Sequence, residues 1–230
     1  MALAEDLYER VRTCELCPLA RTRTLAVPGE GPLDAEVLFI GEAPGVNEDR
    51  QGRPFVGAAG QFLGELLAAA NLRREDVYIC NVLKCRPPAN RDPLPGEIEA
   101  CRDYLDEQIE MVDPRVIVTL GRSSMGRYFP GESISRIHGS VREVDGRSCV
   151  PMYHPAAALH QQNLREVILA DFRKLGALLE RTRVRAAEAP LGAAPRAVVA
   201  PAPGVAEALA AAQAVRAEAE TAGAQARLFE

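Results

Sequence analysis

Ten side chains in this sequence have the types and spacing to do chemistry. Four are cysteines: Cys14 and Cys17 form a C-x2-C near the N-terminus, and Cys85 and Cys101 follow with fifteen residues between them. The pattern is too irregular for a zinc ribbon. Thiolates bind soft metals and iron–sulfur clusters, so these four read as a metal site. Cys80 and Cys149 sit in strand-like runs and read as buried thiols instead.

The other six lie where strands should end. Gly41-Glu42-Ala43-Pro44-Gly45, continuing through Glu48, follows an apolar run directly. Ligands of open α/β sheets bind outside the carboxyl ends of strands, and a Gly- and Pro-rich turn lets backbone approach them closely. It is neither a phosphate-binding P-loop nor G-x-G-x-x-G. Phe55 follows in the same stretch; packing against its own domain is the first reading, stacking on a flat ligand the second. Asn81 stands in a strand, where Asn is depleted, and its amide can both donate and accept, which suits the O4 and N3–H of a pyrimidine. His154 precedes Pro155 at the end of the last strand-like run, where an imidazole can meet charge developing near neutral pH. His138 and His160 lack such context and receive no role.

These residues need a scaffold of strands and helices. Apolar runs at 36–41, 77–83 and 115–120 read as buried strands. A hairpin is expected from 137–144 and 147–152 across Asp145-Gly146. Helical spacing marks 5–13, 58–71, 96–111 and 164–181, with Phe62, Leu63, Leu66 and Leu67 on one face of the second. Residues 41–57 are expected to be a long turn-rich connection, and the prolines at 87, 88, 93 and 95 forbid regular structure before the third helix. Alternating strands and helices imply an α/β fold: a three-layer α/β/α sandwich around a mainly parallel sheet. Residues 1–185 form this domain. Residues 186–230, rich in Ala and Pro, read as a flexible tail.

Net charge is −5, which argues against bulk electrostatic capture of nucleic acid. Arg50, Arg53, Lys84, Arg86 and Arg91 nevertheless lie near the motifs and would form a local basic face, although solvated arginines are the commoner reason for such a run. No run of eighteen apolar residues occurs, so no membrane span is expected. The first residues lack the apolar core of a signal peptide, which implies a reducing cytosol and cysteines used as ligands or buried thiols. A cytoplasmic monomer is expected.

In order and joint presence, Gly41–Gly45, Gly52-Arg53-Pro54-Phe55-Val56-Gly57, Asn81, His154-Pro155 and the four cysteines resemble the uracil-DNA glycosylase superfamily, and most of all its family 4 iron–sulfur enzymes. The resemblance covers roughly residues 10–180. It implies hydrolysis of the bond between uracil and deoxyribose in single- or double-stranded DNA, leaving an abasic site, as in base excision repair. It also implies a structural [4Fe-4S] cluster on Cys14, Cys17, Cys85 and Cys101. By the same resemblance Glu48 positions or activates water near the sugar and Phe55 stacks on uracil. Asn81 reads the edge of the base, and His154 stabilises the departing anion. Backbone around Glu42 and Ala43 lines the pocket; some relatives carry Gly at the latter position. Leu159 or Arg165 occupies the place of the wedge that relatives push into the duplex. A cluster-bearing group that links covalently to DNA carries a His after the first motif, and the loop from Glu48 to Phe55 has none, so ordinary turnover is expected.

Two alternatives stand beside this reading. One is a non-catalytic nucleic-acid-binding member of the same fold. The other is a zinc-dependent nucleoside hydrolase or deaminase, which the absence of H-x-E disfavours, although four thiolates can hold zinc. Finally, Gln225, Leu228 and Phe229 resemble the short peptide by which bacterial repair proteins dock on the replication sliding clamp.

Overall fold

A computed structural model describes residues 2–188. Five strands form one sheet: β1 (Val37–Gly41), β2 (Tyr78–Asn81), β3 (Val116–Leu120), β4 (Arg142–Val144) and β5 (Arg147–Met152). Their order is β2-β1-β3-β5-β4. The first four neighbours run parallel, and only β4 is antiparallel, to β5. Parallel strands need crossovers, and helices supply them.

The helices are α1 (Ala2–Arg12), α2 (Val46–Gln51), α3 (Ala58–Ala69), α4 (Pro95–Val112), the short α5 (Arg122–Met125) and α6 (Ile134–Ile137), α7 (Pro155–His160) and α8 (Asn163–Glu188). Side chains alternate across a strand, and β1 shows the result. Val37 and Phe39 join one core with Phe62, Leu66 and Leu67 of α3 and Phe172 of α8. Leu38 and Ile40 join a second core with Leu105 and Ile109 of α4. These are the three expected layers. A third, smaller core lies beyond β2, where Leu7 and Val11 of α1 meet Leu83, Cys85, Cys101 and Tyr104.

Five features depart from the expectations or add to them. Residues 41–57 are not all turn: they contain α2, started at Gly45 and stopped by Gly52, whose φ of 67° only glycine adopts cheaply. The strand expected at 137–144 is real only over β4, because Ile134–Ile137 is a helical turn. Helix α7 follows His154 at once, initiated by Pro155 at its first position. Lys84 does not belong to a basic face: it is 1% exposed. Helix α8 runs on to Glu188, past the boundary expected at 185. The tail with Gln225, Leu228 and Phe229 lies outside the described residues.

Candidate active site and thiol centre

The carboxyl ends of β1, β2 and β5 open on the same edge of the sheet. Gly41 ends β1 and pairs in register with Asn81, which ends β2. A side chain on Gly41 would have its Cβ 2.2 Å from Asn81 Oδ1 and 2.7 Å from the Phe55 ring. The missing side chain is therefore what lets the amide and the benzyl ring approach one another. Asn81 is buried, and among the described residues its Oδ1 has no hydrogen-bond partner. Buried polar atoms are almost always paired, so an orphaned acceptor here marks a place prepared for a donor.

Phe55 completes the contact with the third strand exit. Its ring stacks on His154, with centroids 5.6 Å apart and planes 27° from parallel. It also belongs to the core shared with α3, so it packs against its own domain as first expected. Its backbone has φ of 50°, an unfavourable region for a bulky side chain costing about 1–3 kcal/mol. Two residues hold it there. Glu48 Oε1 accepts hydrogen bonds from the Val56 and Gly57 amides at 2.9 and 2.8 Å. Arg74 donates to the carbonyls of Pro54 and Phe55, the latter at 3.2 Å. Glu48 Oε2 accepts from the Gly45 amide at 3.1 Å, closing the first turn of α2.

His154 caps α7: its Nδ1 accepts the Ala156 N–H at 3.1 Å. The ring proton of the neutral imidazole therefore sits on Nε2. Burial pushes the His154 pKa down to about 4, against a smaller opposing pull from the Glu48 charge. The imidazole is neutral at pH 7 and presents an N–H donor. Gly121, at the end of β3 with φ of 93°, leaves room for it: a Cβ there would lie 3.1 Å from His154 Cβ.

Glu42 and Ala43 flank the same edge. The Glu42 carbonyl accepts the Leu83 N–H at 3.0 Å, and its carboxylate accepts from Ser123 Oγ at 2.6 Å. Ala43 packs on the thiol-bearing core. Leu159 is exposed on α7, whereas Arg165 is engaged with Glu65 and lies over the Phe62 ring at 4.4 Å.

All four cysteines singled out above meet in the third core, Cys85 and Cys101 buried, Cys14 and Cys17 at its rim. Among the described residues no three His, Cys, Asp or Glu side chains are grouped as a site for a metal ion. The sulfurs are nonetheless furnished with donors. Arg23 Nη1 lies 3.1 Å from Cys85 Sγ, and the Leu16 N–H lies 3.5 Å from Cys14 Sγ. The Lys84 amide serves Cys101. Burial pushes the Cys101 thiol up to about 11 and raises that of Cys85.

Between the two regions runs a buried polar chain that the sequence did not reveal. Lys84 Nζ donates to the Asn81 carbonyl at 2.7 Å and to Gln108 Oε1 at 2.6 Å. Gln108 in turn donates to Tyr78, whose hydroxyl bonds that of Tyr8 on α1 at 2.9 Å. Among the described residues Lys84 has no carboxylate partner, and burial lowers its pKa. The only hint in sequence is a lysine at the end of an apolar run.

A mainly parallel sheet with Asn81, Phe55 and His154 gathered at the carboxyl ends of its strands defines a class, and comparison with known families agrees with it. Residues 28–174 match the family model described as the uracil DNA glycosylase superfamily. The chain belongs to that superfamily. It is 49% identical over 187 residues to the Type-4 uracil-DNA glycosylase of Archaeoglobus fulgidus, covering 77% of this chain and 94% of that one. It is 49% identical over 185 residues to the Type-4 enzyme of Sulfurisphaera tokodaii, covering 74% and 82%. With the Type-4 enzyme of Thermotoga maritima it shares 45% over 184 residues, covering 78% and 96%.

Proposed function

We propose that the protein excises uracil from DNA, with Asn81 as the reader of the base and His154 as the group that receives its negative charge. The relatives above are named as enzymes, which favours catalysis over a binding-only role. The observation that carries the reading is the orphaned Asn81 Oδ1 beside the Phe55 ring. Uracil offers that oxygen its N3–H; cytosine offers a lone pair at N3 and an amine in place of O4. A site built around such groups rejects the wrong pattern because its own polar atoms would go unpaired.

The target nucleotide must leave the stack, at a cost of roughly a few kcal/mol. At 5.6 Å, the Phe55 and His154 rings are one stacking contact apart. The base therefore stacks on Phe55 beside the imidazole rather than between the rings. The bond between C1′ and N1 then breaks, its electron pair leaving with N1. Negative charge spreads onto the uracil oxygens, where the neutral His154 Nε2–H donates to it as in an oxyanion site. Positive charge develops on the sugar. Glu48, immobilised by three amides, keeps a lone pair on Oε2 to orient the water that adds to C1′. The water's second proton passes to Glu48 or solvent.

Cys14, Cys17, Cys85 and Cys101 suit a [4Fe-4S] cluster: four sulfurs share one largely apolar core, and three have N–H donors in place. Bound there, a cluster would supply a structural clasp between the segment after α1, the loop after β2 and α4. In the excised-base assay, a 32P-labelled or fluorescent oligonucleotide with one uracil is expected to become alkali-labile at that site. Absence of release by the iron-loaded protein would refute the assignment.

A further inference from the structure

We propose that Arg74 is a positioning residue for base recognition, holding Phe55 in the backbone conformation that sets its ring against the pocket. The inference rests on the reading of Phe55 as the stacking platform. Phe55 has a φ of 50°, which a phenylalanine does not keep unless its surroundings impose it. The two amides after it are held by Glu48. The carbonyls before and at it are held by Arg74. Nothing else bonds the peptide groups on that side with a side chain, among the described residues.

Arg74 is itself aimed. It leads the turn Arg74–Asp76 at the entry to β2, and Glu30 receives its Nε at 3.4 Å while taking a two-pronged contact from Arg53 at 2.7 and 2.9 Å. A planar guanidinium with donors in a fixed fork can span two successive carbonyls; an ammonium cannot hold both with the same geometry. Across the loop, Gly60 of α3 gives the Phe55 carbonyl its space, because a Cβ there would lie 1.9 Å from that oxygen. Arginine pulls the carbonyl from one side, and the glycine admits it on the other.

The test is a cycle of Arg74→Ala and Phe55→Ala, singly and together, with Arg74→Lys and Gly60→Ala alongside. Single-turnover uracil release, inhibition by free uracil and thermal melting are read for each. Misplacing a contact by about 1 Å costs on the order of 10²-fold in rate. Arg74→Ala is expected to lose about that much and to weaken inhibition by uracil, with Arg74→Lys restoring only part. In the Phe55→Ala background the same change is expected to add almost nothing, since the two act as one unit. Gly60→Ala, pushing on the same carbonyl, should reproduce the loss even if Arg74→Ala proves too unstable to purify. Equal losses in both backgrounds, or full activity in folded Arg74→Ala and Gly60→Ala, would overturn the inference while leaving the Phe55 reading intact. Full activity of Phe55→Ala itself would overturn both.

Discussion

The pocket end of the sheet and the thiol core differ in how complete they are. At the pocket, Glu48, His154, Phe55 and Glu42 are each held by fixed partners, and a single amide oxygen waits for a donor. At the thiol core, four sulfurs share an apolar setting that raises the pKa of the two buried ones, so they are stable as neutral thiols and costly as bare anions. Preorganised polar groups need only a substrate. Buried thiols in an apolar setting are instead held as neutral groups, with N–H donors beside three of the four sulfurs.

The largest effects should come from breaking the thiol core. Cys85→Ser or Cys101→Ser is expected to abolish iron and labile sulfide and to lower the melting temperature strongly. Cys80→Ala, in the neighbouring core, should keep both metal and colour. Iron loss on changing Cys80 as well would erase the distinction between the two classes of thiol.

Next come changes within the pocket. His154→Ala should slow excision by about 10²–10³-fold, the usual consequence of removing an oxyanion donor. Gly41→Ala should do comparable damage, because its methyl would occupy space now held by the Asn81 oxygen and Phe55 ring. Glu48→Ala should be slow for two reasons: it removes a carboxylate and releases two amides of the Phe55 loop. Full activity of both His154→Ala and Glu48→Ala would refute their roles.

The pH dependence separates a neutral donor from an acid. With a folded pKa of about 4, His154 stays neutral down to about pH 5. Excision should therefore be insensitive to this group between pH 8 and 5, and fall as pH drops through about 4, when Nδ1 is protonated against the Ala156 amide. The unfolded chain, with His near 6.5, binds that proton first, so stability from this group also declines as pH falls from about 6.5 through 4. A ring titrating near 6.5 by NMR would contradict this.

The smallest effect is expected at the rim. Leu159→Ala should slow excision from duplex a few-fold and leave single-strand activity unchanged, since an exposed wedge acts only where a stack must be filled. Arg165→Ala should do less, its side chain being engaged with Glu65 and Phe62.

Much of this molecule was legible in its sequence for local reasons. Strands β1, β2 and β3 are apolar runs, and β5, expected as half of a hairpin, ends just ahead of His154-Pro155, so that Gly41, Asn81 and His154 come to the same edge. Helix α2 was hidden because its glycine cap and glycine stop read as turn. Lys84 was misread because burial of a cation depends on Gln108, twenty-four residues away, and on the Asn81 carbonyl. Arg74 left no trace for the same reason: its partners are carbonyls of Pro54 and Phe55, brought near only by the fold.

The most direct measurement is single-turnover base release by the wild type and Asn81→Asp from matched oligonucleotides carrying one uracil or one cytosine. The wild type should release uracil and leave cytosine untouched, and the aspartate variant should lose uracil rate while gaining release of cytosine. Unchanged discrimination in the variant would contradict the claim that the unpaired amide oxygen at the end of β2 reads the base.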